Sequence, residues 1–522
     1  MTGPEILPCE SRPGVCTAHL SAAGRRWVLL VTILGSSLAF IDGSVVNVAL
    51  PAIERGLGAT LADVQWVVNG YTLFLAALIL VGGAAGDRYG RRLVFLLGIA
   101  IFTAASVLCG LAPNVIFLEV TRGIQGIGAA LLVPNSLALI SANVEEKDRA
   151  AAIGTWAGFA ALTTAFGPVL GGWIIDSASW RGIFFINIPL AAVAFVLARW
   201  RIHESALAAA DKPDWTGTAL ITAGLASLTF GLIEAPVSSI TPLVSGGSIA
   251  TGSVLLCAFV LYEAAAPAPM LRLTLFASRN FTVANLLTLL LYFSLSGSLF
   301  FLPFDLIQYQ GYTAAQAGAS LLPFTLIMGA LSRATGRLAD ALGARMFMVG
   351  GPCLSALGLG WLAFTAGTGS YWYAICPAMI TLGVGMALGV PALTTTVMSA
   401  AGDANAGTAS GVNNAVARTA GLIAVAGLGL IAVWGFDNVM RAGLTHLSAH
   451  AGFHHDLKFG GLNLPAGIPV SVRALITAAA RRAFLHAFRL IMLISAASAA
   501  VAAVVGCFVR PEAGRAVATV PD

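Results

Sequence analysis

Three charged residues stand inside long apolar stretches, where chemistry is expensive to place. Asp42 lies within the apolar run 27–50, Arg122 within the run 115–142, and Asp305 just past the run 281–304. A carboxylate at the centre of a lipid-embedded helix costs roughly 2.5–3.5 kcal/mol on insertion scales. An acid kept there should face a cavity, and desolvation favours its neutral form, so that it can take up and release protons. The other reading of Asp42 is a structural acid, hydrogen-bonded to Ser44 or Asn47. Arg122 is permanently charged and needs a partner. Glu119, three residues earlier, shares its helical face. Asp305, near the end of its run, either attracts a cation or faces water.

Other chemistries are poorly served. No phosphate-binding loop of the form G-x-x-x-x-G-K-[ST] occurs. Seven cysteines are scattered without metal spacing or a disulfide framework. His446, His450 and His454, with His455 and Asp456, have helical spacing that could hold zinc. A solvated loop helix explains them equally simply, and no metal is expected. Neither catalysis nor a cofactor is indicated, so any work must draw on an ion gradient. One proton crossing about 100 mV supplies about 2.3 kcal/mol, or roughly a fifty-fold concentration ratio.

The elements that position these residues are membrane helices. The 522 residues are 58% hydrophobic and 10% charged, against about 25% charged in soluble proteins; the mean hydropathy is +0.88. Fourteen apolar runs are long enough to cross a bilayer, near 27–50, 64–86, 93–112, 115–142, 150–176, 182–199, 214–234, 245–263, 281–304, 315–334, 346–366, 373–397, 408–434 and 483–508. Lipid leaves every backbone group to be satisfied within its own segment, so these runs must be helices. The first 26 residues lack the apolar core of a cleaved signal, and the first span is expected to direct insertion.

Lysine and arginine crowd alternate connections, among them Arg25, Arg26, Arg88, Arg91, Arg92, Arg333, Arg337 and Arg345. The opposite short loops hold Arg55 and Arg181. The positive-inside bias places both termini in the cytoplasm of a bacterial-type inner membrane.

An internal repeat divides the chain. G-A-A-G-D-R-Y-G-R-R at 83–92 is echoed by G-R-L-A-D-A-L-G-A-R at 336–345. Gly83, Asp87, Gly90 and Arg92 recur as Gly336, Asp340, Gly343 and Arg345 at the same offsets. The copies follow the second and tenth spans. The expected organisation is an N-terminal tail 1–26, a six-helix bundle 27–203, two inserted helices with linkers 204–280, a second six-helix bundle 281–508 with a long outer loop 435–482, and a tail 509–522. Parallel halves of this kind bind substrate at midplane and work by rocking. Asp87 with Arg88, Arg91 and Arg92 could latch the cytoplasmic side in one state; plain positive-inside anchoring is the simpler reading. In the fifth span Gly158, Gly167, Pro168, Gly171 and Gly172 give a small-faced, kinked helix suited to a gate.

Together these segments resemble the major facilitator superfamily, in its fourteen-span drug:proton antiporter branch of the EmrB/QacA type. The turn Gly83–Arg92 resembles its signature loop. F-I-D-G-S-V-V-N-V-A-L-P, Phe40 to Pro51, resembles the first-helix motif. L-E-V-T-R-G-I-Q-G-I-G-A-A, Leu118 to Ala130, resembles the fourth-helix motif. G-P-V-L-G-G, Gly167 to Gly172, is similar to the antiporter motif, although Thr163 stands where another glycine is usual. D-W-T-G, Asp214 to Gly217, opens the inserted pair as in that branch, and Gly407 to Gly421 completes the pattern.

The resemblance implies an all-α membrane protein with the major facilitator fold. It implies that Arg122 lowers the proton affinity of a nearby acid, and that Arg418 braces the second half. Asp305 departs from the aromatic usual in L-P-x-Y, and Arg489 has no assigned partner. The implied activity is proton-coupled multidrug efflux, with a periplasmic adaptor and outer-membrane channel as conceivable partners and no nucleic acid; the sequence leaves the oligomeric state open, with a monomer expected. Export of one metabolite or self-made antibiotic is the alternative. A sensor built on a transporter scaffold would usually carry a soluble signalling domain, and none is visible.

Overall fold

The computed structural model describes residues 22–205, 213–237, 239–402, 405–444 and 470–510. Its fourteen long apolar helices are span 1 (Gly24–Leu57), span 2 (Leu61–Tyr89), span 3 (Arg91–Gly110), span 4 (Val115–Asn143), span 5 (Ala151–Ser177), span 6 (Gly182–Arg201), span 7 (Trp215–Glu234), span 8 (Pro242–Ala265), span 9 (Arg279–Tyr309), span 10 (Ala314–Ala339), span 11 (Ala344–Thr365), span 12 (Tyr371–Ala401), span 13 (Gly407–Ala442) and span 14 (Arg473–Gly506). The turns bearing Arg88, Arg91, Arg92 and Arg345 share one end of the bundle, called here the basic end; the other is the distal end.

Local chemistry sets the helix starts. Thr60 and Asp63 form a capping box at span 2, and Thr313 with Gln316 forms another at span 10. Asn114 caps span 4 through the Phe117 amide at 2.9 Å. Hydropathy alone ends span 13 at 434 and starts span 14 at 483, but the helices run on to Leu444 and begin at Val470. Asp437, Arg441, Arg473, Arg481 and Arg482 lower the hydropathy of these turns without breaking the helix. The outer loop is therefore shorter than expected, and its histidines at 446–455 lie outside the described residues.

Spans 1–6 pack on one another, as do spans 9–14. The sequence repeat becomes a packing repeat. Gly90 and Gly343 end spans 2 and 10 at φ 114° and 93°, a region where glycine carries no steric cost. Gly83 faces Pro134 of span 4, and Gly336 faces Pro391 of span 12, both at 3.6 Å from an ideal Cβ position. Eight residues after each turn glycine, Gly98 meets Gly128 and Leu132, while Gly351 meets Gly385 and Gly389. Helices at these points touch backbone to backbone.

Spans 7 and 8 pair with each other, and span 7 rests on spans 2 and 13. Leu225 of span 7 joins Leu73 of span 2 and Leu422 of span 13 in one apolar cluster. Trp66 donates its indole N–H to Glu234 Oε1 at 2.9 Å. The inserted pair therefore covers a seam between the halves.

The glycine contacts make a direct comparison possible. A Cβ on Gly351 would lie 2.6 Å from the Gly389 nitrogen, whereas one on neighbouring Gly350 meets nothing within 4 Å. Gly351→Val should lower stability in detergent by about 1–3 kcal/mol through overpacking, with Gly350→Val much milder. Equal thermal shifts for the two variants would refute the close approach of spans 11 and 12.

Candidate functional site

Asp42 and Arg122, eighty residues apart in sequence, form one buried ion pair. Arg122 Nη1 donates to Asp42 Oδ2 at 2.5 Å, and both side chains are 1% exposed. Gln125 Nε2 donates to Asp42 Oδ1 at 2.9 Å, and Gln125 Oε1 accepts from Arg122 Nη1 at 2.7 Å. Arg122 Nε donates to the Val67 carbonyl at 3.0 Å. Its guanidinium carbon sits 4.4 Å from the centroid of the Tyr71 ring. Asn187 of span 6 reaches Asp42 Oδ1 at 3.5 Å and Ser106 Oγ at 3.0 Å. Four helices thus hold the two charges, with three hydrogen bonds from the guanidinium and two more groups donating to the carboxylate.

This arrangement corrects two expectations. Arg122 pairs with Asp42 and not with Glu119, whose Oε1 is buried without a partner among the described residues. Asp42 bonds neither Ser44 nor Asn47; the Ser44 hydroxyl donates to the Ile41 carbonyl at 3.0 Å instead. A shared helical face was a poor guide because the bundle offers a partner on another helix.

Asp305 does not join this site. It lies in the other half at the distal end, in a π-helical turn Asp305–Tyr309. It is 1% exposed, so the water-facing reading is overturned. Gln310 Nε2 donates to its Oδ2 at 2.6 Å, and its Oδ1 has no partner among the described residues. One turn away, Gln308 Nε2 donates across the halves to Glu54 Oε2 of span 1 at 2.7 Å.

Other bonds between the halves share this distal location. Asp176 at the end of span 5 accepts from the Ala314 and Ala315 amides at 3.1 and 2.8 Å, capping span 10. Gln65 Nε2 donates to the Val425 carbonyl at 2.5 Å. Gly172 abuts Ala314, and Gly318 abuts the Pro168 carbonyl. Gly167 and Gly171 lie against Ser44 and Val45 of span 1. A side chain at any of these glycines would push helices apart.

Toward the basic end the glycines of these helices no longer mark close contacts. Gly154 and Gly158 of span 5 and Gly329 of span 10 meet nothing within 4 Å. Close approach therefore accounts for Gly167, Gly171 and Gly172, but not for Gly158. Among the described residues, no hydrogen bond joins the two six-helix halves at the basic end, where each half is tied to itself. Arg25 pairs with Glu145 at 2.5 Å and Asp148 at 3.5 Å. Spans 2 and 13 stay in touch where Leu80 meets Gly411. The hydrogen bonds found between the halves among the described residues thus gather at the distal end.

Asp87, Arg91 and Arg92 of the signature turn are held within their own half. Arg91 pairs with Asp87 at 2.7 Å, one helical turn on. Glu204, which the sequence did not single out, accepts from the Arg92 and Leu93 amides at 3.0 Å each and caps span 3. Its carboxylate occupies the space a Gly90 side chain would need. Arg88 lies 5.9 Å from the Tyr89 ring centroid. In the second copy Arg345 is exposed, and the Asp340 side chain falls outside the described set. Arg489 finds a partner in the Ala366 carbonyl at 3.3 Å. Among the described residues, Arg418 makes no hydrogen bond or ion pair.

Two six-helix halves with backbone-close repeats and a buried mid-helix ion pair have the architecture of a polytopic membrane transporter. The Major Facilitator Superfamily profile matches residues 32–426, and the chain belongs to that family. It is 35% identical over 413 residues, 78% of this chain and 76% of the other, to Multidrug resistance protein Stp of Mycobacterium tuberculosis. It is 31% identical over 514 residues, 94% of each chain, to the Tetracenomycin C resistance and export protein of Streptomyces glaucescens. Among solved structures, a bacterial homolog of the human lysosomal transporter Spinster aligns with TM-score 0.64 and 19% identity over 95% of this chain and 100% of that one, a likeness of fold.

Removing one partner of a buried pair leaves an uncompensated charge and costs about 3–5 kcal/mol. Arg122→Leu should show that loss in thermal unfolding, and adding Asp42→Asn should recover part of it. Strictly additive losses would mean that the two charges are not coupled.

Proposed function

We propose that this protein is a proton-coupled exporter of small amphipathic or cationic compounds in a bacterial-type inner membrane. The basic end, with both termini, then faces the cytoplasm, as the positive-inside rule requires. The observation that carries the reading is the Asp42–Arg122 pair, fully buried at mid-helix within one moving half. Relatives named for drug resistance and antibiotic export support the direction of transport.

The geometry suggests how a proton would act. Asp42 accepts from Arg122 and Gln125 as a carboxylate. A proton arriving on Asp42 removes the charge that holds the guanidinium. Arg122 keeps the Val67 carbonyl, Gln125 Oε1 and the face of Tyr71, so the freed cation remains solvated by the protein. The packing of span 4 against spans 1 and 2 would readjust. Proton occupancy is thereby linked to the position of one half against the other, which is what gradient-driven alternating access needs. In this reading the distal end is the closed one, and cargo enters from the cytoplasmic side. Gly172, Pro168 and Gly318 form the distal seal, which must part and re-form in each cycle.

Export of a single metabolite is the second reading, supported by the 94% mutual coverage with the Tetracenomycin C resistance and export protein. Both readings use the same coupling pair.

Substrate-induced proton movement in proteoliposomes tests the proposal. Lipophilic cations and neutral drugs added under a set pH gradient should move protons with wild type, and Asp42→Asn should fall to the level of empty liposomes. Proton movement that survives in Asp42→Asn would remove Asp42 from the proton path. The seal can be tested separately. Gly172→Leu should raise substrate-independent proton leak severalfold, whereas Gly154→Leu, which faces open space, should not. A tight Gly172→Leu variant would mean that the seal lies elsewhere.

A further inference from the structure

A permanently charged side chain inside a membrane helix ordinarily has a named partner. Arg122, Arg489 and Arg91 each have one. Arg418 does not: among the described residues it makes no hydrogen bond and no ion pair, although it sits well inside span 13. Counting from Gly407, it stands roughly 16 Å along the helix, the depth at which transporters of this architecture hold substrate.

Its surroundings place it at the seam and not on the lipid face. In span 13, Gly411, Leu422 and Val425 contact span 2 through Leu80, Leu73 and Gln65. Arg418 falls on that same helical face, four residues before Leu422 and seven before Val425. The guanidinium is within electrostatic reach of Tyr71 in the first half and Tyr292 in the second. Tyr71 also carries the Arg122 guanidinium on its ring. Arg418 is partly exposed, although its helical face is turned toward span 2.

A second observation marks the same seam. Asn69 of span 2 is 0% exposed, and both its amide oxygen and nitrogen lack partners among the described residues. It follows Gln65, whose amide bonds span 13, by one helical turn. A buried amide with nothing to bond is costly. An open cation and an idle donor–acceptor pair therefore lie along one contact line. Near them Asn413 is already engaged, donating to Thr288 Oγ1 at 2.7 Å.

We infer that Arg418 is the anchor for an anionic group, a carboxylate or phenolate, on the exported compound. A guanidinium offers paired N–H donors that match a carboxylate, and binding would neutralise a charge otherwise left uncompensated at the seam. Preferred cargo is then amphipathic with an acidic group, zwitterions included, and not simply cationic. This deepens the export reading and rests on it.

The test uses rhodamine B and its ethyl ester, amphipathic dyes that differ in one carboxylate. Binding to the full chain in detergent is read by fluorescence anisotropy at neutral pH, beside dye-induced proton movement in liposomes. Wild type should bind the acid more tightly than the ester. R418Q should weaken the acid about tenfold, the scale of a lost charge-assisted hydrogen bond, and leave the ester within twofold. R418K should keep a reduced preference for the acid. In wild type, 1-naphthoate should displace the acid and not the ester, a readout that needs no variant. Equal affinity of wild type for both dyes, or a parallel loss of both in R418Q, overturns the inference and returns Arg418 to a bracing role. Proton movement that is absent with either dye, while the acid preference stands, would count against proton-coupled export and leave the anion site intact.

Discussion

The bilayer withholds water, and everything in this chain answers to that constraint. A backbone amide or a charge without a partner inside lipid has nothing to bond. The long helices satisfy the backbone, and the Asp42–Arg122 pair, wrapped by Gln125, Asn187, Val67 and Tyr71, satisfies the charges. Because the pair is buried on all sides, each charge depends on the other for its compensation.

The same constraint explains the glycines. Between helices in lipid, association relies on close packing, since the tails outside are as apolar as leucine. At Gly98 and Gly128, at Gly351 and Gly389, and at Gly172 with Ala314, backbones approach where any side chain would intrude. These contacts divide by role. Those within a half recur in both halves and keep each bundle rigid. Those between the halves cluster at the distal end, where Asp176 and Gln308 add hydrogen bonds that can break without unravelling a helix. Rigid bodies joined by a breakable seam are what rocking requires.

Much of this was legible in the sequence. Fourteen spans follow from hydropathy, and the recurrence of Gly83, Asp87, Gly90 and Arg92 as Gly336, Asp340, Gly343 and Arg345 announces two related halves. Asp42 and Arg122 each stand out as charges in apolar runs. Their pairing was not legible, because helix periodicity reports neighbours three or four residues away and says nothing of a residue eighty positions off. For the same reason Glu119 looked like the partner. Asp305 looked like a boundary residue, since nothing in its run signals that a π-helical turn folds it inward. Glu204 and Asp176 escaped notice because acids at helix ends are common, and only the assembled bundle shows which helix each one caps. Gln125 was visible as part of a motif, but not as the bridge between two charges.

Spans 7 and 8 give the molecule a handedness in the membrane plane. Two halves that rock must open along two side seams, one at spans 2 and 13 and one at spans 5 and 10. The first is roofed by the inserted pair, with Leu225 wedged against Leu73 and Leu422; among the described residues the second has no such cover. The two flanks of the molecule are therefore unequal in the membrane plane, one shuttered and one bare.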